Sequence, residues 1–132
     1  MSEEQLQEAV KYWWEKAEES LASAELELKS GSKDFAVNRL YYAVFYAVSA
    51  ALLERQIVFK RHTGVRAAFH QEFIKTGLLD FEWGKYYDQL FEDRQEGDYV
   101  AFFAFEEGYI KSQLELCNKF LFQLKPLISS LK

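Results

Sequence analysis

The residues best suited to chemistry lie in the segment Arg94-Gln-Glu-Gly-Asp-Tyr99. An arginine guanidinium can hold a phosphate with two parallel hydrogen bonds. A phenol of unperturbed pKa about 10 is ionised only at roughly the 0.1% level at neutral pH, so Tyr99 is a poor base but a good donor. Positions five apart on a continuous helix lie about 140° apart, so Arg94 and Tyr99 converge only if the helix breaks, and Gly97 offers the place. In the alternative interpretation Arg94 and Asp98 form a plain ion pair.

A second group of candidates is the one clearly basic stretch of the chain, residues 55–71, which contains no acidic residue. Thr63 is the predicted N-cap of a helix over residues 64–76 that Gly77 ends, and Arg61 and His62 directly precede it. Backbone N–H groups at a helix N-terminus favour an anion. The alternative is a solvated loop whose charge balances acids elsewhere. The basic residues are Arg55, Lys60, Arg61, His62, Arg66 and His70.

A third candidate, Arg39, lies within the largely apolar stretch 34–55. The stretch is too interrupted for a membrane span and too long for a strand, so we predict the central helix of the fold, with Asp34 as its N-cap. Arg39 either pairs with an acid at the surface or is held by packed tyrosines beside a polar groove. Both interpretations predict a carboxylate or phosphate nearby, because an unpartnered buried arginine is costly. The residues that share its stripe are Tyr42, Tyr46 and Ser49, whereas Tyr41 belongs to the neighbouring apolar stripe that we assign to the core.

The rest of the chain reads as further helices. Residues 3–30 form a first helix that packs antiparallel to the central one, and residues 82–96 form a fourth that Gly97 weakens or ends. In the last helix Pro126 either introduces a kink or begins a short final turn. We therefore predict one domain over residues 1–132, an all-α up-and-down bundle of about five helices. Phe102, Phe103 and Phe105 look like core anchors at the start of the last helix.

Composition excludes several classes of function. The formal net charge of −5 argues against general, salt-driven association with nucleic acid, although a local patch can still bind it. Cys117 is the only cysteine and lies on a buried stripe, so we expect an inert core thiol and no internal disulfide. The N-terminus lacks the pattern of a secretory signal, so we expect a cytoplasmic protein. Neither histidine has a glutamate three residues before it, and no phosphate loop or serine elbow occurs, so we expect no metal and no cofactor.

Three segments, taken in order, resemble the HEPN domains (higher eukaryotes and prokaryotes nucleotide-binding), in particular the small stand-alone prokaryotic type. They are Asn38-Arg-Leu-Tyr-Tyr-Ala-Val-Phe-Tyr46, Lys60-Arg-His-Thr-Gly64, and Arg94 followed by Asp98 and Tyr99. The resemblance covers nearly the whole chain.

The resemblance implies a four-helix-bundle core that forms a homodimer, with a cleft between protomers lined by the arginine motif. Many HEPN proteins are metal-independent endoribonucleases, often toxins silenced by a nucleotidyltransferase antitoxin. Their motif pairs an arginine with a histidine; here Arg94 matches the arginine and Tyr99 stands at the histidine position. We therefore expect either a weak ribonuclease in which these two residues are catalytic, or a degenerate member that only binds. In both cases the expected RNA or nucleotide contacts come from Arg39, Tyr42, Arg61, His62 and Asp98. The alternative is a non-catalytic dimerisation or protein-interaction module, because aromatic residues are enriched at interface centres.

Overall fold

The computed structural model describes the backbone of residues 1–58, 61–99 and 104–132, and their side chains except those of Asp98 and Tyr99. Lys60, Phe102 and Phe103, named above, lie outside this part of the chain. The described residues form an all-α bundle, as expected, with no strand among them. Its five α-helices are α1 (Glu3–Lys29), α2 (Lys33–Glu54), α3 (His62–Phe69), α4 (Phe81–Tyr99) and α5 (Glu107–Leu124). A π-helical turn, His70–Ile74, follows α3, and two short 3-10 turns follow α5.

The central position of α2 is confirmed. It packs against α1, α3, α4 and α5, and its largest interface is with α1. By length and mean hydropathy it would also suit a membrane span, but 61% of that apolar window is buried inside the bundle. A helix that is apolar on nearly every side is expected at the centre of a bundle, where its neighbours cover it.

Two predicted helix caps are wrong. Gly31 has a φ of +84° and ends the turn after α1, so α2 begins at Lys33. Asp34 therefore lies inside the first turn, where its carboxylate still complements the helix dipole. Likewise α3 begins at His62, with Arg61 at the cap position and Thr63 inside the helix. In both helices the cap lies two residues before the predicted one.

The predicted break at Gly97 is also wrong, because α4 continues through this residue to Tyr99. A Cβ atom at Gly97 would lie 3.0 Å from Cε2 of Phe105, a buried side chain just before α5. The glycine thus admits a neighbouring aromatic ring and does not end the helix. An unbroken helix places positions 94 and 99 about 140° apart around its axis.

The C-terminal part of the chain follows the prediction more closely. Cys117 is fully buried, and burial raises the pKa of its thiol to about 12, which agrees with a core thiol. Pro126 does not kink α5, because it lies after the helix, in the short turn Lys125–Leu127. Gly77, with a φ of +79°, ends the π-helical turn as expected.

Candidate functional site

Arg94 of α4 lies over two adjacent tyrosines of α2. Its Cζ atom is 5.1 Å from the ring centroid of Tyr41 and 5.2 Å from that of Tyr42. The two rings meet edge to face, with centroids 5.1 Å apart. A guanidinium within about 6 Å of an aromatic face is attracted by the negative charge of the ring face. The packing of α4 on α2 therefore fixes the arginine over an aromatic platform.

His62, the first residue of α3, reaches the same platform. Its Nδ1 lies 3.2 Å from the Tyr41 hydroxyl, and its ring centroid lies 4.2 Å from that of Phe45. The Tyr42 ring is 5.6 Å away and meets the imidazole edge to face. The histidine is half-buried. We refer to Tyr41, Tyr42, His62 and Arg94 as the tyrosine platform cluster.

The platform shifts the pKa values of its members in a way that favours neutral side chains. Burial raises the pKa of Tyr41 to about 12, although the charge of Arg94 acts in the opposite direction. Burial also lowers the pKa of His62 below its ordinary value, and the positive charge of Arg94 adds to this effect. At neutral pH Tyr41 is therefore a phenol and His62 an uncharged imidazole.

A second cluster, around His70, joins α3 and the π-helical turn after it to α4. Oδ1 of Asp88 accepts a hydrogen bond from Nη1 of Arg66 at 2.8 Å and lies 2.9 Å from Nε2 of His70. The Arg66 guanidinium is 4.1 Å from the centroid of the Phe91 ring. We call Arg66, His70 and Asp88 the carboxylate cluster.

The expected basic patch is therefore partly neutralised by acids just outside it. Arg66 and His70 share Asp88, and Arg55 lies 3.6 Å from a carboxylate oxygen of Glu72. Arg61 is exposed immediately before α3. Three predicted members of the patch, Arg55, Arg66 and His70, are thus engaged with carboxylates, and the prediction of a continuous anion-binding surface is weakened.

Arg39 lies in a neighbouring groove between α1 and α2. Its Nη1 donates to Oδ1 of Asn38 at 2.8 Å, so its described partner is an amide. The open groove, of about 440 Å³, is lined by Arg39, Lys16, Glu19, Ser20, Ser23, Tyr42 and Tyr46. The interpretation of an arginine beside a polar groove and packed tyrosines agrees with this arrangement. Glu19 lines the same groove, but the described hydrogen bond of the Arg39 side chain is to Asn38. Tyr42 is shared between this groove and the tyrosine platform cluster.

Of the residues singled out from the sequence, the structure brings together Arg94, Tyr42 and His62, with Arg39 one tyrosine away. The side chains of Asp98 and Tyr99 lie outside the described part, so the Arg94–Asp98 alternative stays a prediction. Sequence reasoning missed Tyr41, which it placed on the apolar stripe of the central helix. A tyrosine in such a stripe carries a hydroxyl that needs a partner, and this was the available signal. Within the described ranges, no three His, Cys, Asp or Glu side chains group to hold a metal ion.

Comparisons with known proteins identify the family of this chain. The chain is 45% identical to the "UPF0332 protein" of Thermotoga maritima over 123 residues, which is 93% of each chain. It is 47% identical over 87 residues to the "Putative toxin MJ0142" of Methanocaldococcus jannaschii, spanning 66% of this chain and 59% of the relative. A second protein of that organism, "Putative toxin MJ0605", is 29% identical over 96 residues, spanning 73% of this chain and 72% of the relative. The HEPN domain matches residues 10–125, and the chain therefore belongs to the HEPN domain family.

Proposed function

We propose that this protein binds the phosphate groups of RNA or a nucleotide, and cleaves RNA without a metal ion as the toxin of a toxin–antitoxin pair. The family and two relatives named as toxins support the general role. The observation that carries the chemical part is the convergence of Arg94 and His62 on one pair of tyrosine rings. A cation and an imidazole side by side are what phosphodiester cleavage needs.

Arg94 is the cation of the proposal. In RNA cleavage the 2′-oxygen attacks the adjacent phosphorus, and negative charge accumulates on the phosphate oxygens. A guanidinium held over Tyr41 and Tyr42 is oriented before the substrate arrives, so little reorganisation is needed to neutralise that charge. Tyr99 lies about 140° from Arg94 around the unbroken α4, so it contributes a hydrogen bond to a different part of the RNA from the phosphate that Arg94 holds. Asp98 orients Arg94.

The remaining candidates extend the binding surface. Tyr42 connects the platform with the groove that contains Arg39, and Arg61 is exposed beside His62. We propose that the two arginines contact neighbouring phosphates. The active unit of this proposal is a cytoplasmic homodimer whose two arginine motifs face a shared cleft. A nucleotidyltransferase antitoxin silences it.

The test is cleavage of a labelled single-stranded RNA by purified protein in the presence of EDTA. Arg94→Ala should reduce the cleavage rate about 100-fold or more, because it removes charge stabilisation in the transition state. Arg94→Lys keeps the charge but loses the bidentate geometry, so it should retain a small part of the rate. Arg55→Ala is the matched control, since Arg55 contacts Phe73 and Glu72 at the far end of α2. Undiminished cleavage by Arg94→Ala would remove Arg94 from the reaction.

A second candidate function, a protein-interaction module without a ligand, is favoured by exposed apolar side chains. Leu26 on α1 and Phe122 on α5 are 67% and 78% exposed. Sedimentation of the wild type and of Phe122→Ser separates the two candidates. If Phe122→Ser dissociates an assembly while RNA is never bound or cleaved, the interaction module is the better description.

A further inference from the structure

We propose that His62 is the proton-transfer residue of this site: it takes the proton of the RNA 2′-hydroxyl at Nε2, and Tyr41 holds the imidazole in the tautomer that leaves Nε2 available. This inference rests on the proposed RNA cleavage. It assigns a residue to the removal of the 2′-hydroxyl proton, for which the arginine motif of this chain has no histidine. Tyr99 stands where the motif has a histidine, and a phenol of ordinary pKa is a weak base at neutral pH.

The chain contains two histidines, and their contacts differ. His70 lies 2.9 Å from the carboxylate of Asp88, which also accepts from Arg66. That imidazole is part of an ion-pair arrangement joining the turn after α3 to α4. His62 instead contacts a phenol and aromatic rings. Of the two, His62 is the one that contacts the same tyrosine rings as Arg94.

Arg94 and His62 lie against the same two tyrosine rings. From the Tyr42 ring centroid, the Arg94 Cζ is 5.2 Å away and the His62 ring centroid 5.6 Å away. From the Tyr41 ring the corresponding distances are 5.1 and 5.9 Å. The charge of Arg94 also acts on His62, where it contributes to the lowered pKa. We therefore place a phosphate held by Arg94 within reach of the imidazole, as a base for the neighbouring 2′-hydroxyl requires.

The contact with Tyr41 allows two tautomers of His62, and the proposal uses one of them. Because burial raises the pKa of Tyr41 to about 12, the side chain stays a neutral phenol, which can donate to an unprotonated Nδ1 or accept from Nδ1–H. The proposal assigns the second arrangement, in which Tyr41 accepts. With the proton on Nδ1, the lone pair is on Nε2. When Nε2 gains the substrate proton, the Nδ1–H donor is unchanged, so the hydrogen bond to Tyr41 persists through the step.

The groups facing His62 keep it uncharged before the reaction. They are the phenols of Tyr41 and Tyr42 on α2 and the guanidinium of Arg94 on α4, while Arg66 of its own helix also acts on Tyr41. Burial, followed by the Arg94 charge, lowers the pKa of His62. The cleavage rate should rise with pH and reach its plateau below the pH at which a free histidine of pKa about 6.5 would be fully deprotonated.

The proposed step balances without an oxidant or a metal. His62 Nε2 takes the 2′-hydroxyl proton, O2′ forms a bond to phosphorus, and the bond from phosphorus to O5′ breaks. The departing 5′-oxygen takes a proton from water. The products are a 2′,3′-cyclic phosphate and a 5′-hydroxyl, and His62 then returns its proton to solvent. Tyr41 is a positioning residue in this scheme.

The experiment is a set of pH–rate profiles for cleavage of one single-stranded oligoribonucleotide, with EDTA present. His62→Gln should lower kcat about 10²- to 10⁴-fold, the usual contribution of a general base, leave KM nearly unchanged, and abolish the acid limb in the residual rate. His70→Gln is the matched control and should keep both the rate and the limb. Tyr41→Phe should lower kcat by a smaller factor and shift the limb, because the tautomer is no longer selected.

Folding is checked by circular dichroism, and His62→Ala provides a second measurement in which added imidazole should restore part of the rate. If His62→Gln retains the rate and the acid limb while Arg94→Ala loses the rate, the His62 inference is wrong and the proposed cleavage stands. If the wild type leaves the oligonucleotide intact at every pH, the proposed cleavage is wrong and the His62 role falls with it. Absence of imidazole rescue together with a retained limb would also overturn the inference.

Discussion

The tyrosine platform cluster and the carboxylate cluster are built from similar parts. Each combines one histidine, one arginine and an aromatic ring beneath the guanidinium, and each joins α4 to the chain around α3. They differ in what faces the histidine. Asp88 accepts from Arg66 and contacts His70 through the same oxygen, whereas His62 meets the hydroxyl of Tyr41.

Under the proposed function, that one difference separates a structural contact, at His70, from a reactive one, at His62. A carboxylate shared by a guanidinium and an imidazole fixes the geometry of both groups. A buried phenol holds an imidazole in place without stabilising its charge. His62 is therefore held in orientation but left able to gain and lose a proton, whereas the contacts of His70 serve to connect two elements.

The largest stability effect should come from the carboxylate cluster. Asp88→Ala leaves the half-buried Arg66 without its 2.8 Å partner and removes the contact with His70, so we expect a loss of about 1–2 kcal/mol in unfolding free energy. The partial exposure of these side chains keeps the effect below that of a fully buried pair. Urea unfolding at neutral pH measures it.

His62→Gln is the comparison variant for Asp88→Ala. It should change the unfolding free energy less and the cleavage rate far more. A variant pair with the opposite result, with Asp88→Ala inactive and fully stable, would show that the two clusters have been assigned the wrong roles.

Gly84→Ala tests how rigidly the carboxylate cluster is held. A Cβ atom at this position would lie 2.6 Å from Cε1 of His70 and 3.3 Å from Cγ1 of Ile74. The imidazole cannot move away freely because Asp88 holds its Nε2. Overpacking of this kind costs about 1–3 kcal/mol, and alanine recovers about 1 kcal/mol of helix propensity. We therefore expect a net loss of about 1 kcal/mol, measured by urea unfolding.

The double variant Gly84→Ala, His70→Ala tests whether the cost of Gly84→Ala comes from the His70 imidazole. Removing the imidazole also removes the clash, so the added methyl group should cost less in the His70→Ala background than in the wild type. An equal cost in both backgrounds would show that the strain comes from Ile74 instead.

How much of this arrangement was predictable differs from element to element. The central helix and the stop at Gly77 follow from hydrophobic pattern and glycine placement, which are local properties. Asp34 and Thr63 were wrong as caps because the actual starts depend on how the chain turns after Gly31 and on where α3 docks. His62 was recognised as a binding residue, but its partner Tyr41 was assigned to the core, since a contact over 21 residues of sequence leaves no local signal.

A smaller effect should appear in the acid dependence of stability. The pKa of His62 is lowered in the folded state, so its contribution is fully present above the unfolded value of about 6.5 and is lost as pH falls through the folded value. The unfolding free energy of the wild type should therefore fall with decreasing pH more steeply than that of His62→Gln. Parallel urea titrations from pH 7 downwards compare the two; equal slopes would contradict a lowered pKa.

The smallest effect is expected at Gly97, close to the tyrosine platform cluster. A Cβ atom there would meet Cε2 of Phe105 at 3.0 Å and Cζ at 3.6 Å, a milder approach than the one at Gly84. A phenyl ring has no hydrogen bond to lose when it shifts by a few tenths of an ångström, unlike the imidazole of His70. The cost of the close contact should roughly cancel the gain in helix propensity from alanine, which is about 1 kcal/mol. The unfolding free energy of Gly97→Ala should therefore lie within about 0.5 kcal/mol of the wild-type value. A loss approaching that of Gly84→Ala would mean that Phe105 is held as firmly as His70, and that rigidity does not distinguish the two ends of α4.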